Sequence, residues 1–208
     1  MYSLYLYFLG LSLRNTSKAL VIFKDQKRSH IAVWEWIQRF GSYHIYNKRK
    51  RISAFVIDET LIQIGNSHYW LWVCIEPIHK FCAWNLHISE ERNMIVAEKF
   101  IRSLVENYGK HTVYTYDGGT WYDEACNVLR LKHYLHSPFQ KSMIERVNQY
   151  FKDRIESFDD YYPCMQKDEC NLFHMHNWIQ FFVTMYNDTT FENYFINELN
   201  ERDEVILN

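Results

Sequence analysis

The sequence predicts an α/β protein whose mixed sheet has three antiparallel strands followed by parallel strands, flanked by helices and preceded by a small helical unit. Residues 53–64 read SAFVIDETLIQI and are apolar on both alternating faces, which is typical of a central strand covered on both sides. Two shorter apolar runs follow, and helix and strand patterns then alternate. The chain has 208 residues, 48% of them hydrophobic and 18% aromatic, so it can bury a full core.

The first 46 residues predict three short helices. Residues 2–9 form an aromatic helix closed by Gly10, and a second helix runs to residue 23. After a polar turn, Ser29 is a natural N-cap for a third helix with apolar residues at helical spacing. The arrangement resembles a helix-turn-helix module, whose last helix would enter the major groove of DNA, although many small units of this kind bind protein instead. The DNA contacts expected there are Lys27, Arg28, Ser29 and His30.

Charge is distributed unevenly along the chain. Residues 1–51 hold ten Lys and Arg against two Asp and Glu, a net charge of +8, and the rest holds 13 against 23, a net charge of −10. Such asymmetry is typical of a nucleic-acid-binding arm joined to a body with another task, and a solvated basic face is the alternative. Residues 47–52 form a basic linker that could follow phosphates through Lys48, Arg49, Lys50 and Arg51.

The remaining elements follow in order. The pattern predicts strands at 68–75 and 80–88, a helix opened by Ser89 and ended by Gly109, a strand at 111–116, a helix at 121–129 and a strand at 131–135. A long helix at 142–158 and an apolar helix at 172–186 come next, and the acidic segment 188–208 is expected to be poorly ordered or weakly helical. The predicted divisions are 1–46, 47–52, 53–187 and 188–208.

Three acidic residues stand out by position. Asp58 interrupts the apolar first strand, where an ionised carboxylate is costly unless it is paired or binds a metal; alternatively it marks the strand end and faces water. Asp117 ends the fourth strand, which a right-handed crossover would bring parallel to the first. Glu145, near the start of the long helix, could reach the same point.

The third acid has rivals. Ser142 and Glu145 have the spacing of a capping box, in which the glutamate folds back onto its own helix start. Asp153 and Glu156 are alternative ligands, and Glu156 faces nearly the same way as Glu145 on an ideal helix.

The order of elements and acids resembles the ribonuclease-H-like fold. The motifs Val56-Ile-Asp58-Glu-Thr60, Tyr116-Asp117-Gly-Gly and Lys141-Ser-Met-Ile-Glu145-Arg146 with Lys152-Asp-Arg154 resemble those of DDE transposases of prokaryotic insertion sequences, especially short archaeal forms. The resemblance spans roughly residues 1–187. It implies catalytic roles for Asp58, Asp117 and Glu145.

In-line attack on a phosphodiester builds charge on the entering and leaving oxygens, and two Mg²⁺ ions held by hard oxygen ligands stabilise both. We therefore expect Asp58 to bridge two Mg²⁺ ions, with Mn²⁺ as a substitute, while Asp117 and Glu145 each bind one. Cations on or near the long helix could contact the DNA backbone: Lys141, Arg146, Lys152 and Arg154. Trp121 is expected to stack on a base.

The resulting functional prediction is a transposase that binds the ends of its own element in double-stranded DNA, cleaves them and joins them to a target. The alternatives are a structure-specific nuclease on the same fold and an inactive, domesticated DNA-binding regulator. A joining enzyme is expected to form a homo-oligomer on DNA, with residues 172–186 and the acidic segment as candidate contacts. No run of residues reaches membrane-spanning length, so we expect a cytoplasmic, nucleoid-associated protein.

Zinc is a separate possibility. Cys164, Cys170, His174 and His176 are candidate ligands with irregular spacing, and packed thiols are the alternative. The five cysteines are an odd number that favours reduced core thiols over a disulfide framework.

Overall fold

The computed structural model describes residues 2–42, 52–64, 67–78, 80–82, 86–116, 120–156 and 172–187, without the side chains of residues 81 and 154–156. Its centre is one mixed sheet with the strand order β3-β2-β1-β5-β6, and β4 also pairs with β2. The strands are β1 (Ala54–Ile64), β2 (Ser67–Glu76), β3 (Phe81–Cys82), β4 (His87–Ser89), β5 (Thr112–Thr115) and β6 (His133–Leu135).

The long β1 strand lies at the centre of this sheet. It pairs with β2 in antiparallel register from Val56 to Ile64, but with β5 in parallel register only from Ala54 to Val56. β6 continues the parallel part beside β5. The predicted mixed sheet of antiparallel and then parallel strands is therefore confirmed, and its topology is that of the ribonuclease-H-like fold.

The third predicted strand, residues 80–88, is present as two short pieces. β3 pairs with the end of β2, and β4 pairs with its beginning, so both extend the antiparallel part of the sheet. Residues 83–85 between them lie outside the described part of the chain.

Helices cover both faces of the sheet. They are α1 (Tyr2–Phe8), α2 (Leu13–Lys24), α3 (His30–Ser42), α4 (Met94–Tyr108), α5 (Thr120–Leu129), α6 (Pro138–Glu156) and α7 (Leu172–Asn187). On one face, Phe55 and Ile57 of β1 share a core with α4 and α5. On the other face, Val56 and Ile62 share a core with α1, α2, α3, α6 and α7.

Helix α4 begins later than the sequence indicates. Its N-cap is Asn93, whose side chain accepts a hydrogen bond from the Val96 amide at 3.1 Å. Ser89, the predicted cap, ends β4 and accepts a hydrogen bond from Trp72 Nε1 at 2.8 Å. Gly109 closes the helix as expected, with a φ of 88° that favours glycine.

The three N-terminal helices form where they are predicted, and α3 packs closely against α7. A Cβ at Gly41 would lie 1.8 Å from the carbonyl oxygen of Asn177, so only glycine permits this approach. Gln38 Nε2 donates to the His174 carbonyl oxygen at 3.2 Å, and Asn177 Nδ2 donates to Gln38 Oε1 at 3.3 Å. These helices therefore share a core with the sheet.

Most of the large apolar side chains of α7 pack in the interior of this chain. Trp178, Phe181, Phe182 and Met185, which suggested a contact between subunits, are all buried. Trp178 Nε1 also donates to the Tyr7 hydroxyl at 2.9 Å. The four residues that suggested an oligomer contact on α7 are therefore buried within the chain, whereas Leu172 and Phe173 at the start of α7 are exposed.

Candidate functional site

Asp58 lies at the middle of β1 on the face that α6 covers. It is half-buried, opposite Val73 of β2, and Asn148 Nδ2 of α6 donates to its Oδ2 atom at 2.8 Å. β5 no longer pairs with β1 at this level, because their parallel register ends two residues earlier. Asp58 therefore lies at a level of β1 where pairing with β5 has already ended.

The environment of Asp58 raises the pKa of its carboxyl group from 3.8 to about 6. Burial is the largest cause and the neighbouring Glu59 charge the next, while Arg92 lowers the pKa. Glu145 also raises it, so the carboxylates of β1 and α6 interact. An acid with such a pKa gains most from a nearby cation, because the cation offsets both burial and repulsion.

Glu145 is available to act in a site because α6 starts earlier than predicted. The helix begins at Pro138, and its capping box is formed by Ser137 and Gln140: the Gln140 amide donates to Ser137 Oγ at 3.3 Å, and the Ser137 amide to Gln140 Oε1 at 2.8 Å. Ser142 lies inside the helix, so the capping-box alternative for Glu145 was wrong. The Glu145 side chain is 58% exposed, with Oε1 3.9 Å from Lys141 Nζ.

Asn148, which the sequence did not single out, contacts the Asp58 carboxylate. It follows Glu145 by three positions and therefore lies on the same side of α6. Its side chain is buried, and its Oδ1 atom has no hydrogen-bond partner among the described residues. The spacing from Glu145 was the available signal, but an uncharged residue did not suggest a role.

Asp117 lies outside the described residues, so its position is untested. The last residue before it, Tyr116, is 47% exposed, and Lys141 Nζ lies 4.3 Å from its ring centroid. Continuing the register of β1 and β5 by two residues aligns Asp58 with Tyr116. His136, also missed, lies near this point with Nε2 3.0 Å from the Tyr114 carbonyl oxygen.

The other candidate ligands are described only in part. Asp153 is exposed and accepts a hydrogen bond from Gln149 Nε2 at 2.5 Å, and the Glu156 side chain is not described. Cys164 and Cys170 lie outside the described residues. His174 packs edge-on against Trp34, and His176 is exposed.

The candidate DNA-contacting residues occupy two places. Lys27, Arg28, Ser29 and His30 are exposed ahead of and at the start of α3, where Ser29 Oγ accepts from the Ala32 amide at 3.1 Å. On α6, Arg146 is exposed and Lys141 and Lys152 are partly exposed. The Arg154 side chain is not described, and Lys48, Arg49, Lys50 and Arg51 lie outside the described residues.

A second charged cluster lies on the opposite face of β1. Glu59 accepts hydrogen bonds from Arg92 Nε and the Tyr122 hydroxyl. The Arg92 guanidinium lies 4.7 Å from the ring centroids of both Trp70 and Trp121. One face of the Trp121 indole is therefore covered by Arg92, which leaves less room for a stacked base than the sequence suggested.

Within the described ranges, no group of three or more His, Cys, Asp or Glu side chains could hold a metal ion. Asp58 and Glu145 are two of the three predicted ligands, and both are hard oxygen donors of the kind that Mg²⁺ prefers. No helix in the described part of the chain is long and apolar enough to cross a membrane.

No family model matches the chain. An uncharacterized protein of Methanocaldococcus jannaschii is 28% identical over 182 residues, which cover 88% of this chain and 82% of that protein.

Solved structures that are similar to this chain include retroviral integrase catalytic core domains. The HTLV-2 integrase catalytic core domain in complex with magnesium has a TM-score of 0.45 at 12% identity, covering 66% of this chain and 88% of that one. A chain of the simian T-cell lymphotropic virus intasome structure has a TM-score of 0.47 at 15% identity, and the match covers 89% of this chain and 65% of that one. The BIV integrase catalytic core domain has a TM-score of 0.44 at 14% identity, and the match covers 71% of this chain and 97% of that one.

Proposed function

We propose that this chain is a DDE-type transposase that cleaves and joins DNA by metal-dependent phosphoryl transfer. Asp58, Asp117 and Glu145 hold two Mg²⁺ ions in this proposal, and Mn²⁺ substitutes for them. The observation that carries it is Asp58: a half-buried carboxylate at the sheet centre, with a pKa raised to about 6, tied to α6 beside the helix position of Glu145.

The donor set fits the proposed metal ions. Burial and the Glu59 and Glu145 charges disfavour ionised Asp58, and divalent cations offset both effects. Asp117 directly follows Tyr116, which lies against Lys141 of α6, one turn before Glu145. We therefore expect Asp117 to join the two acids and complete the set.

Each described side chain has a separate task in the proposed reaction. The bound ions supply stabilisation of charge on the entering and leaving oxygens of the phosphodiester. Asn148 donates a hydrogen bond to Oδ2 of Asp58. This contact fixes the orientation of the carboxylate and therefore also the direction of its other oxygen, Oδ1. Lys141 and Arg146, at the exposed start of α6, are placed to contact phosphates beside the reacting one.

DNA binding by the basic N-terminal part completes the proposal. Lys27, Arg28 and the linker 47–52 carry positive charge that a body with a net charge of −10 lacks. A joining enzyme must hold two DNA ends at once, and one chain offers one site. We therefore propose a homo-oligomer on DNA.

The test is cleavage of a duplex that carries the DNA flanking the coding region, with Mg²⁺, Mn²⁺ or neither. Asp58→Asn, Asp117→Asn and Glu145→Gln should each abolish cleavage while the variants still bind the duplex. Glu124→Gln, which removes an exposed acid of α5, is the matched control and should cleave normally. Normal cleavage by Glu145→Gln together with none by Glu156→Gln would transfer the third ligand to Glu156.

A further inference from the structure

Arg92 forms a rigid group with side chains from three elements. It precedes α4, and its Nε atom donates to Oε1 of Glu59 on β1. The guanidinium carbon lies over the rings of Trp70 of β2 and Trp121 of α5, 4.7 Å from each ring centroid. Tyr122 donates its hydroxyl to the other oxygen of Glu59, whose side chain is only 1% exposed. The Arg92 side chain therefore contacts a carboxylate and two indole rings, which come from three different elements.

The arrangement provides more than neutralisation of a buried acid. Glu59 needs one charged partner, and Arg92 meets that need through Nε alone. Its terminal nitrogens, Nη1 and Nη2, make no hydrogen bond to any described residue, and the side chain is 34% exposed. A planar guanidinium held this way presents a fork of donors that matches the oxygens of a phosphate.

The position of Arg92 relates this fork to the proposed active site. Asp58 and Glu59 are consecutive residues of β1, so their side chains point to opposite faces of the sheet. Pairing with β5 ends before this level, which leaves that edge of β1 without a neighbouring strand in the described residues. Trp121, which also contacts Arg92, lies in the first turn of α5, which follows the segment that contains Asp117. A polynucleotide strand crossing the open edge at Asp58 would pass within reach of Arg92.

We propose that Arg92 binds a backbone phosphate of the DNA strand that is cleaved at Asp58. The inference rests on the proposed function and adds a specific contact to it. Contacts with the indoles of Trp70 and Trp121 and the hydrogen bond to Glu59 fix the orientation of the guanidinium. Because the side chain is already ordered, it loses little conformational freedom when DNA binds.

The test separates a phosphate contact from a purely structural ion pair. The double variant Glu59→Gln/Arg92→Gln removes both charges, so it leaves no unpaired acid in the interior. The matched control is Glu98→Gln/Arg102→Gln, which removes an ion pair within α4 whose side chains are 18% and 52% exposed, with the same change in charge. Binding of the flanking-DNA duplex by the full chain is measured by fluorescence anisotropy at several salt concentrations with Ca²⁺ present, alongside thermal unfolding.

The proposal predicts that the Glu59/Arg92 double variant unfolds as one species but binds DNA about tenfold more weakly. Its plot of log affinity against log salt should be shallower by about one phosphate contact, whereas the Glu98/Arg102 control should match the unmodified protein. Arg92→Lys keeps the charge but not the fork, and should also bind more weakly.

Two results would overturn the inference. If the Glu59/Arg92 double variant folds and binds DNA with unchanged affinity and salt dependence, Arg92 is only the counterion of Glu59. If that variant does not fold, Arg92→Lys decides by the same measurement, and unchanged binding by it refutes the contact. Failure of the unmodified protein to cleave the duplex with Mg²⁺ would instead refute the proposed function.

Discussion

The Asp58 carboxylate destabilises the folded protein when it is ionised with no cation nearby. Its pKa is raised from 3.8 to about 6, so the folded state binds this proton more tightly than the unfolded state does. The favourable contribution of protonated Asp58 is fully present below about pH 4 and is lost as the pH rises through 6. Ionised Asp58 therefore costs on the order of 3 kcal/mol at pH 8.

Replacing this acid should stabilise the metal-free protein. Asp58→Asn is expected to raise the melting temperature at pH 8 by several degrees, and the gain should vanish near pH 4, where Asp58 is protonated. Thermal unfolding in EDTA at pH 8 and at pH 4 measures the gain in melting temperature and its disappearance. Asp153→Asn, at an exposed position, is the control and should change little. A loss of stability in Asp58→Asn at pH 8 would contradict the environment described for Asp58.

In the proposed reaction, Asn148 acts through its hydrogen bond to Asp58. Asn148→Leu keeps the branched shape of the side chain but removes the hydrogen bond to Oδ2, so the carboxylate loses a fixed orientation. Changes of this kind at metal sites typically cost ten- to a hundredfold in metal affinity or activity. We expect the Mg²⁺ concentration for half-maximal cleavage to rise by about that factor. A lower rate at every Mg²⁺ concentration with unchanged half-saturation would point to a general packing defect.

At the level of elements, helix α6 determines which acids can meet. The sequence predicts this helix to start at residue 142, four residues after Pro138. Proline is in fact favoured in the first turn of a helix, where no amide hydrogen is needed. The true start at Pro138 puts Ser137 and Gln140 in the capping box and releases Glu145 for the site.

The two capping boxes make opposite predictions. Ser137→Ala should lower the free energy of unfolding by about 1 kcal/mol, because it removes the acceptor for a helix amide. Ser142→Ala lies inside the helix and should leave stability unchanged or slightly higher. Urea unfolding of both variants decides. If Ser142→Ala lowered the free energy of unfolding more than Ser137→Ala does, Glu145 would belong to a capping box after all.

The sequence predicted most elements because their apolar periodicity is strong. The alternation around Asp58 located β1, and the helical spacing before Gly109 located α4. Asn148, Arg92 and Glu59 were missed because their roles depend on neighbours far along the chain, such as the 90 residues between Asn148 and Asp58. Residues 80–88 were predicted as one strand because their apolar content is continuous, and of the described residues in this range 81–82 and 87–88 pair with β2.

At the level of the whole molecule, the N-terminal helices stabilise the side of the core that holds Asp58. Helix α3 packs on α7, and residues of α6 and α7 belong to the same core as Val56 of β1. The basic N-terminal part and the sheet are therefore coupled by packing. Folding of the N-terminal helices should depend on α7.

Gly41 tests this coupling. Gly41→Ala would place a methyl group 1.8 Å from the Asn177 carbonyl oxygen, so α3 and α7 must separate. We expect a loss of about 2 kcal/mol or more, seen by calorimetry as a shift of one cooperative transition. Ser42→Ala, at the exposed neighbouring position, is the control. A separate, earlier transition confined to the N-terminal helices would show that they fold independently.

The most direct test of the central claim is strand transfer. A pre-cut duplex ending in the DNA that flanks the coding region is incubated with the protein, a supercoiled plasmid and Mg²⁺. We predict plasmid joined covalently to the duplex, which requires Mg²⁺ and is abolished by Asp58→Asn and Glu145→Gln. Joining that persists in Asp58→Asn would contradict the assignment of the site, and nicked plasmid without joined ends would identify a nuclease.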